Sequence, residues 1–507
     1  MNKKILLAGT ALLLALCTGC GAKAPEELPA FLQTEEDKLA VTEVTRVVDK
    51  NSIAQLEEYP NLTKADLTGS TCYQAILDYA AANPQVEVLY DVALGGPVVS
   101  SQDTSLSLTD GSYDFATLVE NLSFLPKIQS VQLGKTSLTS EQLNQLKAAH
   151  PQITLSYTVA FGDQELTSDT KTLDLSSITP DQIGEYAKLL SMLPELESVQ
   201  LMKADGTSNL SIEEVGQLQA ATPGTLLQYT FQLFGKTVTT ADERIEYVGV
   251  TIGNEGEAQL RQALPILTGC KYFLLDECGL DNEVLAQLRD DFPNTEIVWR
   301  IHQYNKGRSW LTDTDTLRAV YGVNDENSDV FKYCTKTKYM DFGHDTEMVD
   351  ISFLAYMPDL EICLLSGSPI KDLTPLSNCK KLEFLELSWC GHLEDISPLA
   401  QCDSLKYLNL GHTKVKDLSA LEGLPLEMLS YVNSGKTVGM TQSDWEGIQS
   451  KFPDCWITYE PLSKNTATPY GKGWRYTQEG GYTPIYRKVR DVFGYDEIDK
   501  VLASQNG

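Results

Sequence analysis

The sequence has little positive charge and lacks the short motifs of common enzyme classes. Its 507 residues carry 40 Lys and Arg against 70 Asp and Glu, which gives a formal net charge of −30. Such a surface repels a phosphate backbone, so we expect no nucleic-acid partner. Neither the H-E-x-x-H pattern of zinc peptidases nor the G-x-S-x-G pattern of serine hydrolases occurs. We therefore predict no catalytic residues, no metal site and no cofactor.

The number of cysteines argues against a complete disulfide framework. Beyond residue 20 an odd number remains, namely Cys72, Cys270, Cys278, Cys334, Cys363, Cys379, Cys390, Cys402 and Cys455. Several of them fall on apolar positions of the repeat described below, where a thiol behaves as a small hydrophobic group. We predict buried free thiols at those positions.

Long apolar runs are missing except at the start of the chain. Lys3 and Lys4 precede an apolar run over residues 5–16, which is too short to cross a bilayer as a helix. The run ends in "LCTGC", which resembles the lipobox of bacterial lipoproteins, although Cys17 stands where that pattern usually has Leu. The resemblance implies a signal peptide over residues 1–19 and a palmitate-bearing, lipidated Cys20.

That resemblance also predicts the location of the protein. We expect an exported chain held by lipid at the outer face of the bacterial cell membrane. Residues 20–48 would then form the lipidated N-terminus, a tether and an N-terminal cap.

The most informative feature that is present is a repeat in the C-terminal half. Lines starting at Leu360, Leu382, Leu405 and Leu426 lie 22, 23 and 21 residues apart and share the form L-x-x-L-x-L, followed in most by D-I/L-x-x-L. They read "LEICLLSGSPIKDL", "LEFLELSWCGHLEDI", "LKYLNLGHTKVKDL" and "LEMLSYVNSGKTV". This pattern resembles a leucine-rich repeat, and the "DISPL" and "DLTPL" junctions resemble the internalin-type repeats of bacterial surface proteins.

The N-terminal half contains a longer and more divergent period. The segments "PNLTKADL", "PKIQSVQL", "PELESVQL" and "TGCKYFLL" align, with Ala65, Val131, Val199 and Phe273 equivalent. Each is followed by a helix-like segment that ends at a proline and then by a β-rich strand. Capping boxes begin helical segments at Thr139, Thr179 and Ser211. A unit of roughly 66–74 residues thus holds three turns within the leucine-rich range, and about seventeen turns fit the array.

These periods define the expected architecture. The fold class is α/β, a leucine-rich-repeat solenoid with a parallel β-sheet on the concave side and short helices or extended segments on the convex side. The expected divisions are divergent repeats over 49–310, a helical insertion over 311–336, regular repeats over 337–460 and a C-terminal cap over 461–507. We expect the cap to be a loop and helix that cover the last turn.

The regular repeats also predict a candidate binding surface. Residues between the inward leucines alternate outward along each strand. Successive turns therefore align an outward row of large side chains with acids and histidines beside it. The predicted ligand-binding set is Tyr339, Asp341, Phe384, Glu386, Trp389, Tyr407, Asn409 and His412. Exposed aromatic side chains among polar groups are typical of binding surfaces. Packing between neighbouring strands is the structural alternative.

The resemblance to internalin-type repeats implies an interaction role. We predict a non-catalytic, monomeric binding scaffold for a protein, a peptide or a glycan, attached to the membrane through Cys20. Two alternatives stay open, namely a surface enzyme with a groove in the divergent half, and a passive spacer in a surface complex.

Overall fold

The computed structural model describes residues 34–162, 164–303, 306–432, 441–458, 474–477 and 480–505. The expected signal peptide and Cys20 lie outside these residues. The chain divides into two compact units, one of residues 1–200 with 217–225 and one of residues 201–216 with 226–507. Within the described residues, no helix combines the length and the apolar character that crossing a membrane requires.

The first unit alternates short strands with helices. Its strands are β1 (Glu43–Thr45), β2 (Lys64–Asp66), β3 (Glu87–Leu89), β4 (Asp91–Ala93), β5 (Val98–Ser100), β6 (Ser105–Ser107), β7 (Ser130–Lys135), β8 (Thr154–Phe161), β9 (Gln164–Thr167), β10 (Thr172–Asp174) and β11 (Ser198–Gln200). Its helices are α1 (Glu35–Leu39), α2 (Tyr73–Ala82), α3 (Phe115–Asn121), α4 (Ser140–Ala149) and α5 (Ile183–Leu190). The next helix along the chain is α6 (Ile212–Ala221).

Parallel strands and antiparallel hairpins take turns in this unit. β1, β2 and β3 pair in parallel, as do β6, β7 and β8, and as do β10 and β11. The hairpin β4–β5 follows the third strand of the first group. In the second group the third strand, β8, itself forms a hairpin with β9. The three-turn unit predicted from the sequence is therefore present, and Ala65, Val131 and Val199 all occupy the buried centre of a strand.

The helices of the divergent half begin and end where the sequence places its signals. The Thr139 hydroxyl caps α4, and the Gln142 side chain bonds back to the Thr139 amide, which completes the predicted capping box. The predicted box at Thr179 is also formed. Proline follows two residues after α2, α4 and α6, because its ring and missing N–H prevent the helix from continuing.

The second unit contains the remaining elements. Its strands are β12 (Leu226–Gln228), β13 (Thr230–Leu233), β14 (Lys236–Thr239), β15 (Arg244–Val248), β16 (Tyr272–Asp276), β17 (Glu296–Gln303), β18 (Arg308–Leu311), β19 (Thr316–Arg318), β20 (Tyr339–Asp341), β21 (Ile362–Leu364), β22 (Phe384–Glu386), β23 (Tyr407–Asn409), β24 (Met428–Ser430) and β25 (Trp456–Thr458). Its helices are α7 (Glu257–Ala263), α8 (Asn282–Asp291), α9 (Gln442–Lys451), α10 (Pro484–Phe493) and α11 (Tyr495–Gln505).

One parallel sheet runs through the regular repeats. β19 to β25 pair in chain order and in register, so the same position of each turn meets its equivalent in the next. The leucines at the start and centre of the turns, such as Leu382, Leu385 and Leu408, are fully buried. This register places the second unit in the leucine-rich-repeat fold class, in agreement with the prediction.

Short 3-10 helices return the chain between these strands. They span Ser352–Tyr356, Thr374–Asn378, Ser397–Gln401 and Ser419–Leu421. The aspartate of each "D-I/L" junction explains where they begin, because Asp372, Asp395 and Asp417 each accept the amide N–H two residues later at 2.8–2.9 Å. The segments that return the chain between the regular strands are therefore 3-10 rather than α-helical.

Residues 311–336 do not form the expected helical insertion. They contain β19, which pairs in parallel with β20, and the 3-10 helix Asp329–Tyr333. The segment is an ordinary turn of the array, and its apolar positions Leu317 and Phe331 are fully buried in the repeat core. This turn was not recognised in the sequence because the polar residues 324–326 interrupt the usual spacing of the leucines.

The cysteines behave as small core residues. All nine are free thiols; eight are buried and Cys72 is half-buried. Burial raises the pKa of the Cys390 and Cys455 thiols to about 12, which keeps them protonated. The prediction of buried thiols is confirmed at the repeat positions.

Candidate binding surface on the C-terminal sheet

The outward face of the sheet has the register that the sequence predicts. Tyr339, Ile362, Phe384, Tyr407 and Met428 are aligned across β20 to β24. The row two residues further along runs through Asp341, Leu364, Glu386, Asn409 and Ser430. Both rows point away from the leucine core because side chains alternate along a strand.

The prediction that these rows face solvent is wrong. Phe384 and Met428 are fully buried, Glu386 is 1% exposed, and Tyr339 and Tyr407 are only partly exposed. The cover is the C-terminal segment, here defined as the described residues within 474–495. We call the sheet residues beneath it the seat, and its apolar members are Ile362, Leu364, Phe384, Met428 and Trp456, with Tyr339 and Tyr407 at the margin.

The C-terminal segment therefore lies elsewhere than expected. The prediction placed a loop and helix over the core of the last turn, and a helix is indeed present. However, α10 lies across the outward face, where Ile485, Val489 and Phe493 pack against the seat. Their spacing of four residues gives α10 a single apolar stripe. The sequence alone could not place this stripe, because the seat residues that it contacts lie about 30 to 130 residues earlier in the chain.

Two buried carboxylates hold the C-terminal segment at separate points. Trp474 donates its indole N–H to Glu386 Oε2 at 2.8 Å, and the Arg475 guanidinium donates to Oε1 of the same carboxylate at 2.9 Å. The Tyr495 hydroxyl donates to Asp341 Oδ2 at 2.6 Å. Burial raises the pKa of Asp341, and the Tyr495 hydrogen bond partly opposes that change.

Charge complementarity extends around these bonds. Lys488 on α10 lies 3.5 Å from Glu361 and 3.7 Å from Glu383, which precede β21 and β22. Arg318 on β19 lies 3.6 Å from Asp341, and its guanidinium stacks over the Tyr495 ring at 5.5 Å. The acidic seat thus faces a segment that carries Arg475, Arg487, Lys488 and Arg490.

Asn409 has a local structural role. It is 7% exposed, and its Oδ1 accepts the Gly411 amide N–H at 3.0 Å. Asp341 makes the same bond to Gly343 at 3.2 Å. This turn fixes the chain at the ends of β20 and β23, so Asn409 is not available to an external ligand in this structure.

A second part of the predicted set remains exposed. Trp389 is 64% exposed, and its ring stacks on the His412 imidazole with ring centroids 3.7 Å apart and planes 10° apart. Three turns earlier in the array, Tyr321 stacks on His344 at 5.3 Å and 17°. We call Tyr321, His344, Gly367, Trp389 and His412 the edge row, because they hold the same position in five successive turns at the end of the strands. Partial burial lowers the pKa of His412, which favours the neutral form of the imidazole that stacks on Trp389.

The backbone of the edge row is held in an uncommon conformation. Tyr321, His344, Trp389 and His412 have φ between 60° and 67°, the left-handed region that glycine favours, and Gly367 has φ 80°. The amides of Trp389 and Gly367 each donate to a carbonyl of the next turn at 2.8 Å, and this repeated bond imposes the conformation. Large rings at such positions cost stability, so they are candidates for a functional role. Tyr321 was missed from the sequence because its turn was taken for an insertion.

The divergent half contains an open groove of about 670 Å³ in the first unit. Helix α4 and strand β8 form two of its walls, with Leu143, Lys147 and Tyr157 among the lining residues. Its described lining includes the acids Asp169 and Glu195 but neither histidine nor cysteine. Among the described residues of the whole chain, no cluster of three or more His, Cys, Asp or Glu side chains could hold a metal ion.

The register of the sheet defines a leucine-rich-repeat fold, and similar solved structures have repeats of this class. An internalin of Listeria monocytogenes, InlF, is 17% identical over 72% of this chain and 85% of its own, with a TM-score of 0.26. A leucine-rich-repeat protein of Leptospira interrogans is 14% identical over 86% of this chain and 100% of its own, with a TM-score of 0.25. No family model and no curated protein matches the chain. At these identities and TM-scores the fold class rests on the strand register described above.

Proposed function

We propose that this chain is a non-catalytic binding scaffold for a protein, a peptide or a glycan. The leucine-rich turns form a rigid support. An exposed, regularly spaced surface on such a support is suited to binding. The single observation that carries the proposal is the edge row. Its exposed Trp389 ring, stacked on His412, is large, rigid and available to a ligand.

The other predicted ligand-binding residues lie beneath the C-terminal segment or at its margin, and Asn409 holds a turn. Tyr339, Asp341, Phe384, Glu386 and Tyr407 lie in or beside the seat, where the C-terminal segment contacts them. We propose that they contact a ligand only when that segment is absent from the seat. An external ligand therefore meets Trp389 and His412 first.

A binding screen with a matched pair of variants tests the proposal. The soluble chain from residue 21 onward is screened against proteins, peptides and glycans, and any ligand found is measured with Trp389→Ala combined with His412→Ala. We expect affinity to fall at least tenfold, because a central aromatic anchor commonly contributes 2 kcal/mol or more. Tyr356→Ala is the control, since Tyr356 is also exposed, at 55%, but lies on a 3-10 helix. Unchanged affinity in the double variant would place the site elsewhere.

We also propose that the protein is exported and anchored by lipid on Cys20. The support is the basic start, the short apolar run and the "LCTGC" sequence. Cys20→Ala should release the protein from the membrane fraction, whereas retention of that variant in washed membranes would contradict the anchor.

A passive spacer is the second candidate, and the filled seat is the observation that favours it. A face that is permanently covered by its own chain offers nothing to a ligand. In that case the edge-row variants would change no interaction, and the screen would find no ligand that the wild-type protein binds.

A further inference from the structure

We infer that the seat is a peptide-binding site that accepts, in trans, an amphipathic helix that carries basic residues and is preceded by an aromatic–arginine pair. The C-terminal segment is its resident occupant. The inference rests on the proposed scaffold role, and it names the ligand class for the seat rather than for the edge row.

The repeat core does not need the C-terminal segment. The inward residues of β20 to β23, namely Met340, Cys363, Leu385 and Leu408, are fully buried on the opposite side of the sheet from the seat. Each is packed among the leucines of its own and neighbouring turns, as in any leucine-rich array. The occupant of the seat is thus an addition to a core that is already closed.

The apolar contacts between segment and seat have the form of helix-in-groove recognition. Ile485, Val489 and Phe493 present one stripe at i, i+4 and i+8, which is the spacing by which amphipathic helices bind apolar grooves. Phe384 meets the Trp474 ring at 5.1 Å between centroids. These contacts require only an amphipathic helix with an aromatic residue ahead of it, so they do not restrict the seat to this chain's own segment.

The buried acids supply the selectivity. A buried carboxylate without a partner is costly, and Glu386 and Asp341 are 1% and 3% exposed. An occupant must therefore present donors to both, as Trp474 with Arg475 and Tyr495 do. A helix that fills the apolar groove but lacks these donors would leave the charges unpaired and would be rejected.

The length of α10 explains why the segment can leave the seat. It has 10 residues, and an isolated helix of that length is marginal in water. The helical order of α10 therefore depends on its docking to the seat. The docked and undocked forms differ by the free energy of the interface between α10 and the seat. Because the segment is covalently attached, its docking is intramolecular, so a free peptide competes poorly with it.

The test uses the full chain and a labelled peptide of residues 474–505. In the chain with Val489→Asp, a charge faces the apolar seat and the resident helix is displaced. We expect the peptide to bind this variant at least tenfold more tightly than the wild type, measured by fluorescence anisotropy. Val501→Asp is the matched control, because Val501 lies on α11 and is 54% exposed, and it should bind the peptide as weakly as the wild type.

Two further arms make the result decisive. A peptide with Trp474→Ala and Arg475→Ala should lose at least tenfold in affinity for the Val489→Asp chain. If Val489→Asp fails to fold by circular dichroism, the full chain with Trp474→Ala and Arg475→Ala replaces it as the opened form and is tested with the unaltered peptide. A folded, opened chain that does not bind the unaltered peptide overturns the inference. The scaffold role is tested separately. If a ligand found in the screen no longer binds the chain with Trp389→Ala and His412→Ala, the scaffold role is supported even where the peptide does not bind the seat.

Discussion

Trp474 and Glu386 are 88 residues apart in the chain, and the indole N–H of the first lies 2.8 Å from a carboxylate oxygen of the second. Glu386 also accepts the Ser366 hydroxyl at 3.1 Å and the Arg475 guanidinium at 2.9 Å. A strand residue that the repeat pattern places outward is thereby buried and fully engaged. This relationship places the C-terminal segment on the candidate binding surface instead of at the end of the array.

Replacement of Glu386 should loosen the C-terminal segment. Glu386→Ala leaves the buried Trp474 indole without its acceptor, and we expect the free energy of unfolding to fall by about 2–3 kcal/mol. Glu386→Gln keeps one acceptor oxygen and should lose less than half as much. Urea unfolding followed by tryptophan fluorescence measures both variants. Equal stability of Glu386→Ala and the wild type would show that the bond contributes nothing.

Asp345 should make the stability of the second unit depend on pH. The side chain is 1% exposed; its Oδ1 accepts the Gly322 amide and, at 2.8 Å, the Val323 amide. Its Oδ2 has no hydrogen-bond partner among the described residues. Burial raises the pKa of Asp345 to about 6, above the ordinary value near 3.8. The folded state therefore binds a proton that the unfolded state releases between these two values, and stability falls as pH rises through that window.

Asp345→Asn tests that sign. Asparagine keeps the acceptor oxygen for both amides and removes the buried charge, so it should raise the free energy of unfolding at pH 7.5 by about 1–3 kcal/mol, the upper limit following from a pKa change of about two units. The gain should shrink toward pH 4, where Asp345 is protonated in the wild type. Asp403→Asn, at an exposed position, is the control for a change in net charge. Urea unfolding at both pH values decides the matter, and a gain of the same size at pH 4 would contradict the assignment.

Native thiol labelling should single out Cys72. Eight of the nine cysteines are buried, whereas Cys72 is half-buried at the start of α2. Brief treatment with iodoacetamide at pH 8 should therefore modify Cys72 among these nine, because the other eight thiols are shielded from the reagent by burial. Peptide mapping by mass spectrometry identifies the site, with the denatured protein as the fully labelled reference. Rapid labelling of Cys390 or Cys402 in the native protein would show that the repeat core opens locally.

The repeat core was predictable from sequence because its signals are local. Leu382, Leu385 and Leu387 alternate within one turn, and the Thr139 capping box spans four residues. Each of these patterns is specified by neighbours in the chain, so the strand register followed correctly from the spacing of the leucines.

The cover of the seat was not predictable by the same reasoning. The bond between Tyr495 and Asp341 joins residues 154 positions apart, and no period links a cap to the array that it covers. One indirect signal existed. Asp341 and Glu386 are acids in outward rows that are otherwise largely apolar, while the C-terminal segment concentrates aromatic and basic residues in an acidic chain. Opposite charges and matching apolar content point to docking, but only the structure gives the partners.

The edge row allows stability and binding to be separated at Trp389. The residue has φ 65°, a conformation that costs any residue with a Cβ about 1–2 kcal/mol and costs glycine almost nothing. Trp389→Ala keeps that strain and loses the stacking on His412, whereas Trp389→Gly loses the same stacking but relieves the strain. Thermal or urea unfolding should therefore find Trp389→Gly more stable than Trp389→Ala by about 1 kcal/mol. Both variants should lose any ligand that the edge row binds, since both lack the ring. If Trp389→Gly and Trp389→Ala were equally stable, the left-handed backbone at this position would not be strained. Strain would then give no reason to assign the Trp389 ring a function.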